Sequence, residues 1–362
     1  MAHGAIGLRI EDLDSPALLL DQEVSDRNLH RMAEFFRDRT CQLRPHFKNH
    51  KCTTLARRQL DVGSAVGVTC AKLGEAEVLA DHGFDEALIA NQVIGSRKIR
   101  RLTELAKKMN VKVAVDHIDQ IESLSQAAAS ADVSIGVFVE VDIGMGRCGA
   151  KPGEPSLELA RQIVSRPALR FEGLQAYEGH TVYIDDYDKR RELTEHAMLQ
   201  AVNTRKLIES KGIDVGVLSG GATGTYKITG EIEGMNELQA GSYATMDWRY
   251  HQVVPDFSIA LSVLTHVISV RPNTAVLDVG LKGAGCEFGL PRIKDYPDVN
   301  IPFFGAEEHL VVNDTPRWSI GEAVQLISSH ACTTCNLYRQ MYVHKEGVVV
   351  DVWPIEASGK LC

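Results

Sequence analysis

Arg44-Pro45-His46-Phe47-Lys48-Asn49-His50-Lys51 follows an apolar approach and precedes a helical run that begins near Thr53. It reads as a strand leaving its sheet. Alternation along such a strand puts Arg44, His46 and Lys48 on one face and Leu43, Pro45 and Phe47 on the other. Lys48 then stands at the carboxyl end of the strand, facing inward beside other cations. Neighbouring positive charge and partial desolvation both disfavour an ammonium, which is how a lysine becomes a nucleophile near neutral pH. The competing reading is a basic surface turn or an anion site. The sequence on either side decides between them.

Upstream, Ala17-Leu18-Leu19-Leu20 reads as a short strand. Residues 23–38 form an amphipathic helix with Val24, Leu29, Met32, Phe35 and Phe36 on one side. Downstream, 66–70, 87–91, 111–115, 135–141, 171–177, 215–219 and 237–241 read as strands with helices between them. With the opening strand at 43–48, that makes eight strands alternating with helices, the number and order of an α/β fold of the (β/α)8 TIM-type barrel. Strands apolar on both faces suit a parallel sheet covered on its outside. Beyond residue 250 the pattern changes. Stretches 258–270, 275–279, 309–312, 323–328 and 347–353 read as strands separated by Gly, Pro and Asn, without comparable helices. The expectation is a barrel over 22–250 and an all-β domain formed by 1–21 and 251–362.

A chain of 362 residues exceeds a single compact core, which agrees with two domains. The formal charge of -9 argues against a nucleic-acid partner. No apolar run is long enough to cross a bilayer and the amino terminus has no secretory pattern, so no membrane partner is expected. Eight cysteines are scattered along the chain without the density of a disulfide scaffold, which suggests reduced thiols and a cytoplasmic location.

Barrel enzymes carry their chemistry on the loops after the strands, and commonly hold phosphate after the seventh and eighth. The loop after the seventh strand is Ser219-Gly220-Gly221-Ala222-Thr223-Gly224-Thr225-Tyr226, and Gly241-Ser242-Tyr243 follows the eighth. Glycines let backbone N–H groups approach an anion, and the threonine hydroxyls add donors. Phosphate loops opposite a nucleophilic lysine point to pyridoxal 5′-phosphate (PLP), which joins a phosphate to an aldehyde. Arg147, after the fifth strand, could serve the cofactor's phenolic oxygen or a substrate carboxylate. Tyr177 ends the sixth strand and could lie against the pyridine ring, and Glu178-Gly179-His180 supplies a possible acid/base. In the second domain, His330 and Cys332 stand two apart, so on a strand they share a face and could share a metal ion. Imidazole with thiolate suits Zn²⁺, whereas Mn²⁺ or Mg²⁺ prefers oxygen. Cys332 and Cys335 also form a C-x-x-C pair, but a redox dithiol would want a helix amino terminus there, and none is expected.

These segments, Arg44-Pro45-His46-x-Lys48-x-His50-Lys51, Gly146-Arg147-Cys148-Gly149, the 219–225 loop, Asn236-Glu237-Leu238-Gln239-x-Gly241-Ser242-Tyr243 and His330-x-Cys332, together resemble the D-threonine aldolase and D-serine dehydratase group, which is similar to alanine racemase in fold. The resemblance covers nearly the whole chain. It implies that Lys48 is the lysine joined to PLP, rather than Lys51, Lys72 or Lys282. It implies that Tyr177, Thr223, Gly224, Gly241 and Ser242 hold the cofactor, and that His330 and Cys332 bind a divalent metal. It also implies a homodimer in which the barrel of one chain meets the β-domain of the other. The implied substrate is a D-amino acid with a β-hydroxyl, and His180 is the candidate for a second proton transfer. Gln175-Ala176-Tyr177, Gly289-Leu290-Pro291 and Val352-Trp353-Pro354-Ile355 look like the aldolases. Cys332 and Gly179-His180 look like the zinc-dependent dehydratases, since the aldolases usually carry Asp at that metal position. A racemase or a non-catalytic PLP-homeostasis protein remains a further alternative.

Overall fold

A computed structural model describes residues 2–362. The chain enters through strand β1 (Ala17–Asp21), whose last carboxylate caps helix α1 (Gln22–Phe36) by accepting the Val24 N–H at 3.0 Å. Then come β2 (Gln42–Leu43), α2 (Thr53–Asp61), β3 (Val68–Cys70), α3 (Leu73–Asp81), β4 (Glu86–Ile89), α4 (Ser96–Ala106), β5 (Asn110–Val115), α5 (Ile118–Ser130) and β6 (Ile135–Val141). The alternation continues with α6 (Glu154–Val164), β7 (Leu169–Ala176), α7 (Tyr187–Ser210), β8 (Val217–Gly220), the single turn α8 (Tyr226–Thr229) and β9 (Glu237–Leu238). The chain divides into two compact units. The barrel unit comprises Ala33–Lys48, Gln59–Gly241 and Lys360–Cys362, and the sheet unit comprises residues through Met32, Asn49–Arg58 and Ser242–Gly359.

In the barrel unit, eight parallel strands run in the order β2-β9-β8-β7-β6-β5-β4-β3. Single bridges Leu43–Ala65 and His46–Thr69 bring the two ends of this sheet together. The expected barrel is therefore present, and β6 shows why its strands read as apolar throughout: all seven of its residues are buried. The barrel interior nevertheless carries a polar layer. Arg44, 3% exposed, donates from Nε to Glu237 Oε2 at 2.7 Å and from Nη1 to Glu86 Oε1 at 2.6 Å. Ser219 Oγ donates to Glu237 Oε1 at 2.7 Å, and Gln239 Nε2 donates to Ser219 Oγ at 2.8 Å.

Burial works against the Arg44 charge, but the two carboxylates outweigh it and hold its pKa above the ordinary value. Arg44→Met strands Glu237 without its cation in a buried layer. It is expected to cost about 3–5 kcal/mol, read from urea unfolding, with much of the loss recovered in R44M/E237M.

In the sheet unit, α9 (Trp248–Val253) leads to β10 (Leu261–Arg271), β11 (Thr274–Leu277), β12 (Arg292–Ile293), β13 (Leu310–Asn313) and β14 (Ala323–Ile327). Helix α10 (Ala331–Leu337) and the hairpin β15 (Gln340–Lys345) and β16 (Val348–Pro354) complete it. The sheet runs β12-β14-β10-β1-β15-β16, with β11 on β10 and β13 on β11. The amino-terminal β1 lies inside this sheet, antiparallel to β10 and parallel to β15. Among the described residues no helix is long and apolar enough to cross a membrane.

Candidate active site

The strand expected at 43–48 is shorter than its pattern suggests. Regular pairing covers only Gln42–Leu43, and Lys48 sits in a 3₁₀ turn, Phe47–Asn49. The chain between them stays extended and tied on both sides: His46 N–H donates to Ala240 O at 2.9 Å, and Thr69 N–H donates to Pro45 O at 2.8 Å. Phe47 is fully buried while Lys48 is half-buried. The expected crowding of Lys48 by cations needs correction. The Arg44 guanidinium is spent on Glu237 and Glu86, so it brings no net positive charge to the lysine.

Arg147 follows β6, Tyr177 follows β7, Thr223 and Gly224 follow β8, and Gly241 follows β9. In a parallel barrel these positions share one end with Lys48, the carboxyl end of the strands. Arg147 is half exposed, with its guanidinium carbon 5.4 Å from the centre of the Tyr177 ring and Nη2 3.6 Å from Glu140 Oε1. Glu140 is buried on β6 and takes a 2.6 Å hydrogen bond from Gln92, and burial raises its pKa despite Arg147. A side chain at Gly179 would lie 2.5 Å from the Tyr177 ring and 2.9 Å from Met145, so only glycine leaves that ring its place. His180 is exposed, with its ring over Gly144.

The 219–225 loop differs from its expected role in one respect. Gly224 is required by packing, because a Cβ there would meet Val182 O at 2.5 Å. The Gly221 N–H donates to Glu178 Oε2 at 3.1 Å, and the Ala222 N–H donates to Thr225 Oγ1 at 3.2 Å. Two of the loop's amides are thus committed within the protein. Thr223 and Gly224 form its tip and are buried. Ser242, directly after Gly241, begins a 3₁₀ turn, Ser242–Ala244, in the sheet unit. An amine and a glycine–threonine tip at one barrel end fit a cofactor that carries an aldehyde and a phosphate.

The His330–Cys332 pair is not on a strand. His330 is the extended residue before α10 and Cys332 is the second residue of that helix, so the C-x-x-C pair does lie at a helix amino terminus. The buried Asp247 fixes this turn: its Oδ1 accepts the Tyr250 N–H and its Oδ2 accepts the Ala331 N–H, at 2.8 and 2.9 Å. The turn still brings the two side chains together. Burial alone would lower the His330 pKa, but Cys332 and Glu287 overcome it and raise it to about 10. Glu287, held down to about 2 by His330 and Thr333 against its own desolvation, contacts His330 Nδ1 at 2.6 Å. The imidazole's other side-chain partner is Cys332. Asn49 Nδ2 lies 3.6 Å from Cys332 Sγ, and Asn49 is itself held by Thr245. A nitrogen–sulfur pair with a carboxylate behind the imidazole fits a borderline-soft divalent ion. Among the described residues no cluster of three or more His, Cys, Asp or Glu is placed to hold one.

Glu287, Asp247, Asn49 and the interior role of Glu178 escaped the sequence reading. Each has at least one partner far away in the chain and matches no short motif.

Two family models match the chain: "Alanine racemase, N-terminal domain" over residues 20–247 and "Putative serine dehydratase domain" over 260–344. The chain is 34% identical to the 3-hydroxy-D-aspartate aldolase of Paracoccus denitrificans (strain Pd 1222), covering 98% of this chain and 94% of the relative. It is 36% identical to the D-threonine aldolase of an Arthrobacter species, covering 96% and 93%. The crystal structure of D-threonine aldolase from Filomicrobium marinum superposes with a TM-score of 0.95 at 35% identity and covers 99% of both chains. This chain belongs to the alanine-racemase-fold family that contains the D-threonine and 3-hydroxy-D-aspartate aldolases.

Proposed function

We propose that the protein is a lyase dependent on PLP and a divalent metal that cleaves β-hydroxy-D-amino acids to glycine and an aldehyde, as a D-threonine aldolase does. The observation that carries this reading is the gathering of Lys48, Arg147, Tyr177, Thr223–Gly224 and Gly241 behind the carboxyl ends of five strands of one barrel. The printed activities of the relatives support the reaction type. PLP supplies an electron sink for the charge left at Cα when the Cα–Cβ bond breaks. Lys48 anchors it through its amine, and Thr223, Gly224, Gly241 and Ser242 hold its phosphate. Arg147 donates to its phenolic oxygen or to the substrate carboxylate, and Tyr177 offers its ring to the pyridine. His180 takes the β-hydroxyl proton. A divalent ion on His330 and Cys332, zinc by its donor set with Mn²⁺ or Mg²⁺ as alternatives, supplies Lewis acidity to the hydroxyl oxygen.

The imidazole–thiolate pair also favours a second reading, a D-serine or 3-hydroxy-D-aspartate dehydratase in which Lys48 removes the Cα proton. One assay separates them. With PLP, a divalent metal and D-threonine or D-serine, glycine plus an aldehyde marks an aldolase, and a 2-oxo acid plus ammonia marks a dehydratase. The enantiomer alone marks a racemase, and no turnover on a broad panel favours a PLP-homeostasis protein. The working unit in this proposal is a homodimer. Phe303 and Ile320, 70% and 69% exposed, are apolar side chains that a second copy could cover. Sedimentation equilibrium checks this.

A further inference from the structure

Glu178 is fully buried, yet it follows β7 within the proposed cofactor end of the barrel. Its carboxylate takes three donors, all from the segment after β8. Oε2 accepts the Gly221 N–H at 3.1 Å, and Oε1 accepts the hydroxyls of Thr225 at 2.7 Å and Thr229 at 2.5 Å. Thr225 has a single hydroxyl proton. Because it goes to Glu178, the oxygen is left to accept the Ala222 N–H at 3.2 Å. One carboxylate therefore sets the direction of two successive backbone amides and two side chains. The residue is itself held, since its carbonyl accepts the Thr181 N–H and hydroxyl at 2.9 and 3.0 Å, and Thr181 Oγ1 is 2.8 Å from Thr194 Oγ1.

A buried carboxylate beneath a loop meant for an anion needs a reason. It adds negative charge near a place where a phosphate would sit, which by itself would weaken binding. Its geometry supplies the reason. The Gly221 N–H is turned toward Glu178 and the Ala222 N–H toward the Thr225 hydroxyl that Glu178 orients, and the 3₁₀ turn Thr223–Thr225 follows directly from these two fixed peptides. A loop of small residues without such a brace has many backbone conformations of similar energy, and ordering it on binding would subtract from affinity.

We propose that Glu178 is a positioning residue that preorganises the 219–225 loop for the cofactor's phosphate and does not touch the reacting atoms. The proposal rests on the reading that this loop holds the phosphate of PLP. It reassigns Glu178 from the acid/base pairing suggested by Glu178-Gly179-His180, where only His180 is exposed.

The test compares PLP with pyridoxal, which has the aldehyde but no phosphate, by absorbance titration of the apoenzyme. Glu178→Met keeps the volume and removes both acceptor oxygens, and with them all three hydrogen bonds. It is expected to weaken PLP by about 100-fold while changing pyridoxal by less than about 3-fold. Glu178→Gln can still accept from Gly221 and is expected to recover PLP affinity to within about 10-fold of wild type. Should E178M fail to fold, Thr229→Val removes one donor at the far side of the carboxylate and is expected to lower the PLP-to-pyridoxal affinity ratio by about 5–10-fold. Equal losses for both ligands, or an unchanged ratio, overturn the role of Glu178 alone. A wild-type protein with no preference for PLP over pyridoxal overturns the phosphate loop and Glu178 together.

Discussion

Lys48→Ala is expected to give a folded protein that no longer forms a borohydride-reducible linkage to PLP and whose turnover of β-hydroxy-D-amino acids falls by at least about 10³-fold. The size of the effect follows from what no neighbour can replace. Lys48 is the half-buried member of a turn whose other residues, Phe47 and Asn49, are buried, so the backbone on both sides is held. Lys48→Arg keeps the charge but cannot form a carbon–nitrogen double bond with an aldehyde, so it should be as inactive as the alanine variant. Reduction followed by peptide mapping should find the label on Lys48. Label on Lys51, Lys72 or Lys282 would transfer the chemistry to a different lysine and sink the assignment. Stability by thermal unfolding should change little, since a half-buried amine contributes little to packing.

Chelation, or substitution of His330 or Cys332 by alanine, is expected to lower activity by on the order of 10²-fold or more and to remove bound zinc from the purified protein. Cys332→Asp replaces a soft donor with a hard one, and the preferred ion should move from Zn²⁺ toward Mn²⁺ or Mg²⁺. Glu287→Gln leaves both proposed ligands in place but loosens the imidazole, and should weaken metal affinity by about 10–100-fold. The pH dependence has a definite sign. Cys332 and Glu287 raise the His330 pKa to about 10 against the effect of burial. A metal must displace the His330 proton, so affinity should rise with pH across the neutral range and binding should release protons to a weakly buffered indicator solution. Metal uptake that is independent of pH and unchanged by C332A would remove this pair from the site.

Much of the barrel was legible from residue patterns because each strand and helix advertises itself through its own neighbours. Strand β6 is buried along its whole length and reads as an apolar run broken only by Glu140, and Asp186 caps α7 within three residues. Helix α10 was misread for a related reason. Ala331-Cys332-Thr333-Thr334-Cys335-Asn336-Leu337 has no apolar stripe of helical period and two β-branched residues. A carboxylate 84 positions away, Asp247, receives the first N–H of that turn. The positive charge that Arg44 was expected to bring to Lys48 was misjudged likewise, because the carboxylates that neutralise it lie 42 and 193 positions along the chain.

What the sequence determined by itself was the alternation of elements, their closure as a parallel barrel, and the placing of Lys48, Arg147, Tyr177, Thr223 and Gly241 after strands that end on one side. Backbone periodicity is a local property, and a barrel turns that local order into a shared end for every loop. Only the tertiary structure decided which charged groups are already spent. Arg44 is neutralised by Glu237 and Glu86, Glu178 serves the amides of the glycine loop, and Glu287 holds His330. A hydrogen bond depends on separation in space, and folding brings together groups whose separation along the chain carries no trace of it.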